Sequence, residues 1–350
     1  MLKVCHINLS KGFRGGERQT ELLIKGLYSC DDLFQTVILR KDSPLIKRLN
    51  GLSDRLDLHP VSKPYIWYAS HIRNCSLIHV HEAKAAQFAY LASRIYKRPY
   101  LITRRVPNPI KSNPLSRRVY FEAERIVALS GAIRDVLQSY DVRLKPVIIP
   151  SMVSGLPVDP ASRDDIRSRY SGKFLVGHAG ALVNRHKGQQ YLLEAASILQ
   201  KKCPKMHFLL LGQGKDERWL KSLASGLENV EFVGFRDNLG DYLAAFDLFV
   251  FPSLQEGLGS VLLDAMQFGL PIVASDVDGI PDIIEHRKTG LLTPPGNGRA
   301  LAECIEYLYH DKEMRRKLSK NAYAASLAYH PREIAERYLH IYREIIVSSA

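Results

Sequence analysis

The clearest chemical pattern in the sequence follows an apolar run that ends at Pro252. Glu256 comes in the next turn, and Asp264 comes eight residues later, one turn into a predicted helix. Glycines between the two carboxylates leave backbone N–H groups free to bind phosphate oxygens at the start of that helix. The carboxylates can accept hydrogen bonds from sugar hydroxyls. The pattern therefore indicates a site that binds phosphate oxygens and sugar hydroxyls.

A second group of candidate residues lies between Gly180 and Gly188, after the first predicted strand of the second half. Arg185 and Lys187 can supply fixed positive charges to a diphosphate, as Arg and Lys side chains often do. A solvated loop is the alternative interpretation of the same residues.

The first half contributes a glycine-rich loop between Lys11 and Arg18. Gly15 and Gly16 can let an anion approach the backbone at a helix N-terminus, although a simple turn explains them equally well. The loop lacks the G-x-G-x-x-G spacing, and the second predicted strand ends at Arg40 rather than at an acidic residue. Both departures weaken an NAD-binding interpretation.

Two histidines, His79 and His81, lie at the end of an apolar strand. Strand alternation puts them on one face, near the carboxyl edge where ligands of open α/β sheets bind. Each is a candidate ligand donor, proton carrier or hydrogen-bonded structural residue. No second His, Cys or Asp pair at metal-ligand spacing lies nearby in the sequence, which argues against a metal site.

Both halves of the chain alternate short apolar runs with amphipathic stretches, the pattern of βα units and parallel sheets. We predict strands near residues 3–9, 36–39, 77–81, 100–103, 125–129 and 147–149, and near 174–178, 207–211, 230–233, 248–251 and 271–274. A turn-rich segment at residues 150–157 marks the boundary between the halves. The predicted fold class is therefore α/β, with two facing Rossmann-like doubly wound domains.

Length and composition narrow the class of protein. The chain has 350 residues, more than the roughly 250–300 residues that one core usually serves. Its 46% hydrophobic and 24% charged residues exclude a disordered or collagen-like chain. No apolar run approaches the ~18 residues of a membrane span, and the first residues do not form a signal peptide. Five scattered cysteines fit a reducing compartment, so we predict a cytoplasmic protein.

The net charge of +13 lies in the first half of the chain. Residues 1–150 hold 25 Lys and Arg against 12 Asp and Glu, whereas residues 151–350 hold 24 of each kind. A basic half joined to a neutral half suggests that the first domain meets an anionic lipid surface, an acidic acceptor or nucleic acid, and a charged surface that only keeps the protein soluble is the alternative. Because no reading helix and no aromatic residues interleaved with the basic ones are evident, nucleic acid is the least favoured of these partners.

These motifs together resemble the retaining nucleotide-sugar glycosyltransferases of family four, which have the GT-B fold. The resemblance covers nearly the whole chain in the family's motif order, and its most specific part is the segment from Glu256 to Asp264. Its other elements are Gly15-Gly16-Glu17, His79-x-His81, Leu129–Ala132, Lys187-Gly188, Gly212-Gln213-Gly214, Val233-Gly234-Phe235 and Gly269–Ser275.

The resemblance implies a role for each site residue. In the second domain, Lys187 and Arg185 would neutralise the departing diphosphate, and Glu256 would bind hydroxyls of the donor sugar. In the first domain, His81 would lie at the reacting sugar. The other implied donor-binding residues are Gly15, Gly16, Gly214, Phe235 beside the base, Gly257, Leu258, Gly259 and Ser260 at the phosphates, and Asp264 at the ribose.

A further resemblance concerns bacterial enzymes that build lipopolysaccharide cores, and it rests on Thr103 to Val106 followed by Pro107 and Pro109. It implies that Arg104, Arg105 and Lys111 bind a phosphorylated acceptor or an anionic membrane surface, where each basic residue contributes about 1 kcal/mol. Two positions depart from the family pattern. Asp264 replaces the usual Glu, and Ala181 stands where an Arg is common.

The resemblance thus implies a retaining, metal-independent transfer of a hexose-type sugar from a UDP- or GDP-linked donor to an anionic saccharide or glycolipid. It implies no cofactor, no bound metal and no nucleic acid partner, and a peripheral position on the cytoplasmic face of the inner membrane. We expect residues 1–155 to bind the acceptor, with a final helix at about 335–350 packed on them, and residues 156–334 to bind the donor. The alternatives are a sugar-nucleotide epimerase of the same fold and a catalytically weak partner protein that binds sugar nucleotides.

Overall fold

The computed structural model describes residues 1–52 and 54–349, and it divides the chain into two units. The first unit comprises Met1–Ser154 and Tyr329–Ala350, and the second comprises Gly155–Ala328. The boundary expected after residue 155 lies one residue beyond the observed one, and the chain returns to the first unit at Tyr329 rather than near residue 335. The last position of the predicted helix, Ala350, lies outside the described residues.

The first unit is built on a seven-stranded parallel sheet. Its strands are β1 (Leu2–Asn8), β2 (Leu33–Arg40), β3 (Leu56–Val61), β4 (Leu77–Val80), β5 (Tyr100–Arg104), β6 (Arg125–Ala128) and β7 (Val147–Ile148). Their spatial order is β3-β2-β1-β4-β5-β6-β7. The helices are α1 (Gly15–Tyr28), α2 (Leu45–Leu49), α3 (Ala83–Tyr96), α4 (Pro114–Phe121) and α5 (Gly131–Tyr140). The strand order reverses between β1 and β4, and ligands of open parallel sheets bind at such a reversal.

The second unit contains a six-stranded parallel sheet. Its strands are β8 (Phe174–Ala179), β9 (Met206–Leu211), β10 (Val230–Gly234), β11 (Leu248–Phe251), β12 (Ile272–Ser275) and β13 (Leu291–Thr293), in the order β10-β9-β8-β11-β12-β13. Its helices are α6 (Pro160–Arg169), α7 (Asn184–Lys187), α8 (Gln189–Lys202), α9 (Glu217–Leu223), α10 (Leu239–Ala245), α11 (Ser260–Gln267), α12 (Gly298–His310) and α13 (Lys312–Ser326). Here the strand order reverses between β8 and β11.

The last helix, α14 (Pro331–Ser349), packs on the first unit. Its buried residues Ile334, Tyr338 and Tyr342 lie in the same apolar cluster as residues of β1 and α1. Gly26 of α1 permits this packing, because a Cβ there would lie 3.1 Å from the Cβ of Ala335. The C-terminal segment therefore supports the sheet from which the first unit's candidate residues emerge.

The predicted strands are found with end shifts of zero to three residues, whereas two edge strands were not predicted. The edge strand β3 contains Pro60 and polar residues. Edge strands tolerate this composition, but it does not predict a strand from the sequence. The edge strand β13 is only three residues long. The strand expected at residues 77–81 ends at Val80, so His81 is the first residue after it.

No helix within residues 1–52 and 54–349 combines the length and apolarity that crossing a bilayer requires.

Candidate functional site

Two loops of the second unit leave the sheet at its point of strand reversal and are joined by their backbones. One follows β8 and contains the single turn α7, and the other follows β11. The carbonyl oxygen of His186 accepts hydrogen bonds from the N–H groups of Leu254 at 2.8 Å and Gln255 at 3.1 Å. The side chains on the two loops are therefore held at a fixed mutual position.

Lys187 and Glu256, which the sequence pattern selects independently, form an ion pair across these two loops. The ammonium of Lys187 donates a hydrogen bond to the carboxylate of Glu256, and their side chains are only 22% and 16% exposed. The same ammonium lies 4.9 Å from the ring centroid of Phe251. A cation and a carboxylate so placed can contact a phosphate and a neighbouring hydroxyl of one ligand.

Glycines shape the backbone around this pair. Gly188 has a φ of +61°, and a Cβ there would lie 2.1 Å from the carbonyl oxygen of Pro252, so only glycine fits. Gly259, with a φ of +86°, precedes α11 and supplies no side-chain cap. The first N–H groups of α11, which begins at Ser260, thus have no capping side chain, which suits them to bind an anion.

The other donor-binding residues predicted in the second unit lie at the same carboxyl edge of its sheet, in different surroundings. Asp264 is buried on α11, and Phe235 follows β10 with 60% of its surface exposed. A Cβ at Gly214 would lie 2.2 Å from the carbonyl oxygen of Leu182, so this glycine lets the loop after β9 pack against the loop after β8. Arg185 is exposed on α7 and forms no ion pair within the described part of the chain.

The structure adds Asp278 to this site, a residue that sequence reasoning missed. Its carboxylate accepts a hydrogen bond from the backbone N–H of Glu256 at 2.8 Å, and the N–H of Gly279 donates to the carbonyl of Glu256 at 3.4 Å. Asp278 adopts a φ of +49°, a costly conformation for a residue other than glycine. The loop after β12 therefore fixes the backbone of the candidate sugar-binding residue.

In the first unit, parallel pairing of β1 with β4 builds a cluster of three buried histidines. His6 on β1 lies opposite His79 on β4, and the sequence analysis did not single it out. Nδ1 of His6 lies 3.0 Å from Nε2 of His81. His79 has hydrogen-bond partners at both ring nitrogens, the hydroxyl of Tyr342 at 2.6 Å and that of Thr103 at 2.7 Å.

Burial keeps these imidazoles neutral. It lowers the pKa of His6 to about 3. It also lowers the pKa values of His79 and His81 well below the ordinary value, and the neighbouring positive charge of Arg105 acts in the same direction. His81 is therefore a neutral hydrogen-bonding group at physiological pH.

The three residues predicted to bind an acceptor or an anionic surface occupy different environments, and the burial of Arg104 does not fit a position at a membrane surface. Arg104 is buried, and its guanidinium donates to the hydroxyl of Tyr120 at 2.7 Å and to the carbonyl of Asn108. These contacts engage it inside the unit, so it cannot lie against a membrane surface. Lys111 is exposed, whereas Arg105 is partly buried and donates to Nδ1 of His81 at 3.3 Å.

Gly15 and Gly16 lie in the first turn of α1. A Cβ at Gly16 would lie 3.6 Å from Cδ of Arg105, so the side chain of Arg105 runs beside this turn. The sequence pattern thus placed the glycine-rich loop correctly at a helix N-terminus, but it did not show that a cation lies next to it.

Two groups within the described residues have metal-ligand atoms within 4.8 Å of one another, namely His6, His79 and His81, and Cys203, Glu306 and His310. The first corrects the expectation that no further ligand lies near the histidine pair. It does not suit a cation, however, because hydrogen bonds engage both nitrogens of His79, and the positive guanidinium of Arg105 lies against His81. In the second group, Glu306 forms an ion pair with Lys202 at 3.0 Å.

Comparison with known proteins defines the class. Residues 173–311 match the family model described as glycosyl transferases group 1. The chain is 36% identical over 165 residues to an N,N'-diacetylbacillosaminyl-diphospho-undecaprenol alpha-1,3-N-acetylgalactosaminyltransferase from Campylobacter jejuni, covering 46% of this chain and 42% of that protein. It is 31% identical over 166 residues to the lipopolysaccharide core biosynthesis glycosyltransferase LpsE of Rhizobium meliloti, covering 46% and 47%. The chain thus spans about half the length of these curated relatives.

Among solved structures, Anabaena Alr3699/HepE in complex with UDP and glucose superposes with a TM-score of 0.84 at 22% identity, covering 98% of this chain and 100% of that one. This likeness shows the fold. Residues 173–311 thus match a group 1 glycosyltransferase domain, and the two parallel-sheet α/β units are those of the GT-B fold. The predicted fold class and the resemblance to this family are confirmed.

Proposed function

We propose that the protein is a retaining, metal-independent glycosyltransferase that moves a hexose-type sugar from a UDP- or GDP-linked donor to an anionic saccharide or glycolipid. The observation that carries the proposal is the pair of Lys187 and Glu256 beside the uncapped N-terminus of α11, within the group 1 domain. Two relatives are named as bacterial glycosyltransferases, one acting on a diphospho-undecaprenol-linked sugar and one in lipopolysaccharide core synthesis. They support an acceptor used in cell-surface glycan synthesis.

In the proposed transfer, the bond between the anomeric carbon and the donor diphosphate breaks. A bond to an acceptor hydroxyl oxygen forms on the same face of the sugar, and the hydroxyl proton passes to the leaving diphosphate. The negative charge that develops on the diphosphate needs preorganised donors. Lys187, Arg185 and the first N–H groups of α11 supply them, while Glu256 orients the sugar through its hydroxyls.

The first unit has the charge expected of a domain that binds an anionic acceptor at a membrane surface. It contains the entire excess of positive charge, and Lys111 is exposed on it. Ile66 and Trp67 are also exposed, on a 3-10 helix that spans Tyr65–Ile72. An exposed aromatic residue on a basic surface fits the interfacial region of a bilayer. In this proposal the enzyme works as a peripheral protein on the cytoplasmic face of the inner membrane.

The donor site is tested first by thermal unfolding of the full chain with UDP, GDP and ADP and their sugar conjugates. A ligand at 100 times its Kd stabilises the protein by about 2.7 kcal/mol, and we expect such an effect from one nucleoside diphosphate only. Transfer is then measured with that donor for the wild type, Lys187→Ala and Glu256→Ala. We expect each substitution to abolish most turnover while the fold survives.

Lys202→Ala and Glu306→Ala are matched controls, because these residues form an ion pair between α8 and α12 of the same unit. Both controls should keep wild-type turnover. Normal turnover of Glu256→Ala would refute the site assignment. No thermal response to any nucleotide would refute the donor class, and a response without transfer to any acceptor would favour a sugar-nucleotide-binding partner protein.

A further inference from the structure

The side chain of Arg105 carries a positive charge without a carboxylate partner. It forms no ion pair within the described part of the chain, its Nε is buried without a hydrogen-bond partner, and its one hydrogen bond is to the ring of His81. Burial lowers the pKa of the guanidinium, and Tyr338, Glu17 and Tyr342 counteract this only in part. A charge withdrawn from water is costly unless an opposite charge compensates it.

The hydrogen bond from Arg105 fixes the tautomer of His81. A guanidinium can only donate, so Nδ1 of His81 must accept and carries no proton. The proton of the neutral ring is then on Nε2, which donates to Nδ1 of His6. His6 must in turn carry its proton on Nε2.

The hydrogen bonds run from Arg105 to His81 and then to His6, whose remaining N–H group, at Nε2, is the last donor of the series. Gln35 on β2 is the next residue to consider. Nε2 of His6 and Oε1 of Gln35 are both buried without a partner at hydrogen-bond distance among the described residues. Gln35 is held in place because its amide nitrogen donates to the carbonyl of Ile24 at 3.0 Å, and its side chain partly offsets the effect of burial on the pKa of His6. His81 thus has both ring nitrogens engaged, and its orientation is fixed by residues on either side.

We propose that Arg105 is the anion-binding residue of the first unit, that its guanidinium binds an oxyanion of a substrate, and that His81 and His6 are positioning residues which hold it beside Gly16. The inference deepens the proposed function and depends on it for the identity of that substrate. Arg105 would bind a phosphate or carboxylate group, and both the nucleotide donor and the anionic acceptor can provide such a group.

A purely structural role for Arg105 is the competing explanation, and its neighbour provides the contrast. Arg104 is buried with partners at both terminal nitrogens, the hydroxyl of Tyr120 and the carbonyl of Asn108. The Nε of Arg104 is also buried without a hydrogen-bond partner, and Arg104 forms no ion pair within the described part of the chain. Replacing Arg104 nevertheless breaks two internal contacts, whereas replacing Arg105 breaks one. We therefore expect replacement of Arg104 to lower stability without changing anion binding, and replacement of Arg105 to weaken anion binding without lowering stability.

The experiment uses the full chain labelled with 15N-histidine and inorganic phosphate as the probe. Long-range 1H–15N spectra should show His81 as the Nε2–H tautomer, with a ring-nitrogen shift that changes on addition of phosphate. We expect Arg105→Gln to keep or raise the Tm but to weaken the phosphate response at His81 by about tenfold or more. Arg104→Gln should lower the Tm by about 4 °C but keep the phosphate response.

The same spectra with UDP, GDP and phosphatidylglycerol vesicles separate the sources of the anion. A response to a nucleoside diphosphate that Arg105→Gln abolishes supports a donor oxyanion. A response to phosphate alone supports an acceptor oxyanion. A full phosphate response in Arg105→Gln, a response only to vesicles, or an Nδ1–H tautomer of His81 would overturn the inference. None of these NMR measurements requires turnover or involves Glu256. They can therefore contradict the role of Arg105 while the proposed transferase function still holds, and the reverse.

Discussion

The ammonium of Lys187 and the carboxylate of Glu256 neutralise each other across two loops of the second unit, although the sequence pattern assigns them to different parts of one ligand. The carboxylate competes with any phosphate for the ammonium. In the proposed function, a sugar hydroxyl bound to Glu256 would free Lys187 for the diphosphate, and the pair would couple recognition of the sugar to neutralisation of the leaving group.

This coupling predicts that Glu256→Gln tightens the binding of the free nucleoside diphosphate while it lowers turnover. Removing the competing carboxylate should improve affinity by about fivefold, because a half-buried pair of this kind contributes about 1 kcal/mol. Lys187→Met should weaken the same affinity by at least about tenfold. Titration calorimetry measures both, with Glu306→Gln as the control expected to change neither. Weaker diphosphate binding by Glu256→Gln would contradict the coupling.

A second prediction concerns the glycine that follows Lys187. Gly188→Ala should lower the free energy of unfolding of the second unit by about 3 kcal/mol or more, because the new Cβ would meet the carbonyl of Pro252. Gly172→Ala is the matched control, since Gly172 also has a positive φ, +72°, but faces open space. It should cost only about 1–2 kcal/mol of backbone strain. Equal losses in urea denaturation of the two variants would show that the contact with Pro252 does not matter.

The buried histidines predict that the first unit loses stability in acid faster than the second. His6, His79 and His81 have pKa values lowered in the folded state, so between pH 6.5 and about 4 the unfolded chain binds more protons. Stability then rises with pH in this window, and it is lost as pH falls, at up to about 1.4 kcal/mol per pH unit for each histidine. The second unit has His178, whose pKa is lowered to about 4, and His207, whose pKa is lowered less.

Each unit contains one tryptophan, which allows this prediction to be measured locally. Trp67 reports on the first unit and Trp219 on the second, and Trp67→Phe and Trp219→Phe isolate the two signals. Urea midpoints at pH 7.5, 6 and 5 should fall more steeply for Trp67 than for Trp219. A parallel fall of the two midpoints would show that the histidine cluster does not control the acid stability of the first unit.

The local motifs of the second unit could be predicted because each lies within one short stretch of sequence. Pro252 ends a strand, glycines open the next helix and Glu256 lies between them, so the order of residues alone indicates the site. Asp278 could not be found in this way, because its contact with Glu256 depends on how the loop after β12 returns to the sheet. The roles of these residues in binding a donor stay predictions.

In the first unit, pairing between distant strands decides more of the site. His6 joins the histidine cluster only because β1 pairs with β4, and no local pattern marks it. Arg104 and Arg105 look alike in the sequence, yet the first ends β5 facing the interior and the second follows it. Alternation along a strand was the signal that could have separated them. Tyr338 and Tyr342 lie four residues apart on α14, a spacing that indicates one helix face but not what that face touches.

The proposed membrane contact predicts that Trp67 enters the interfacial region of anionic vesicles. In Trp219→Phe, phosphatidylglycerol vesicles should shift the emission of Trp67 to shorter wavelength, and neutral vesicles should not. Raising the salt from about 0.1 M to about 1 M, which shortens the screening length from about 10 Å to about 3 Å, should reverse the shift. An additional Lys111→Ala substitution should weaken binding by about 1 kcal/mol. An unchanged spectrum with anionic vesicles would contradict the contact.

The return of α14 to the first unit predicts a stability effect from a residue far along the chain. Tyr342→Phe removes the hydroxyl that lies 2.6 Å from Nδ1 of His79 and leaves that buried nitrogen without its partner. The loss should be about 1–3 kcal/mol in the free energy of unfolding of the first unit, followed by Trp67. Tyr323→Phe in the second unit is the control, because Tyr323 is exposed and its substitution should change stability little. Equal and small effects of the two substitutions would mean that the contact with His79 contributes nothing, and that α14 stabilises the first unit through apolar packing alone.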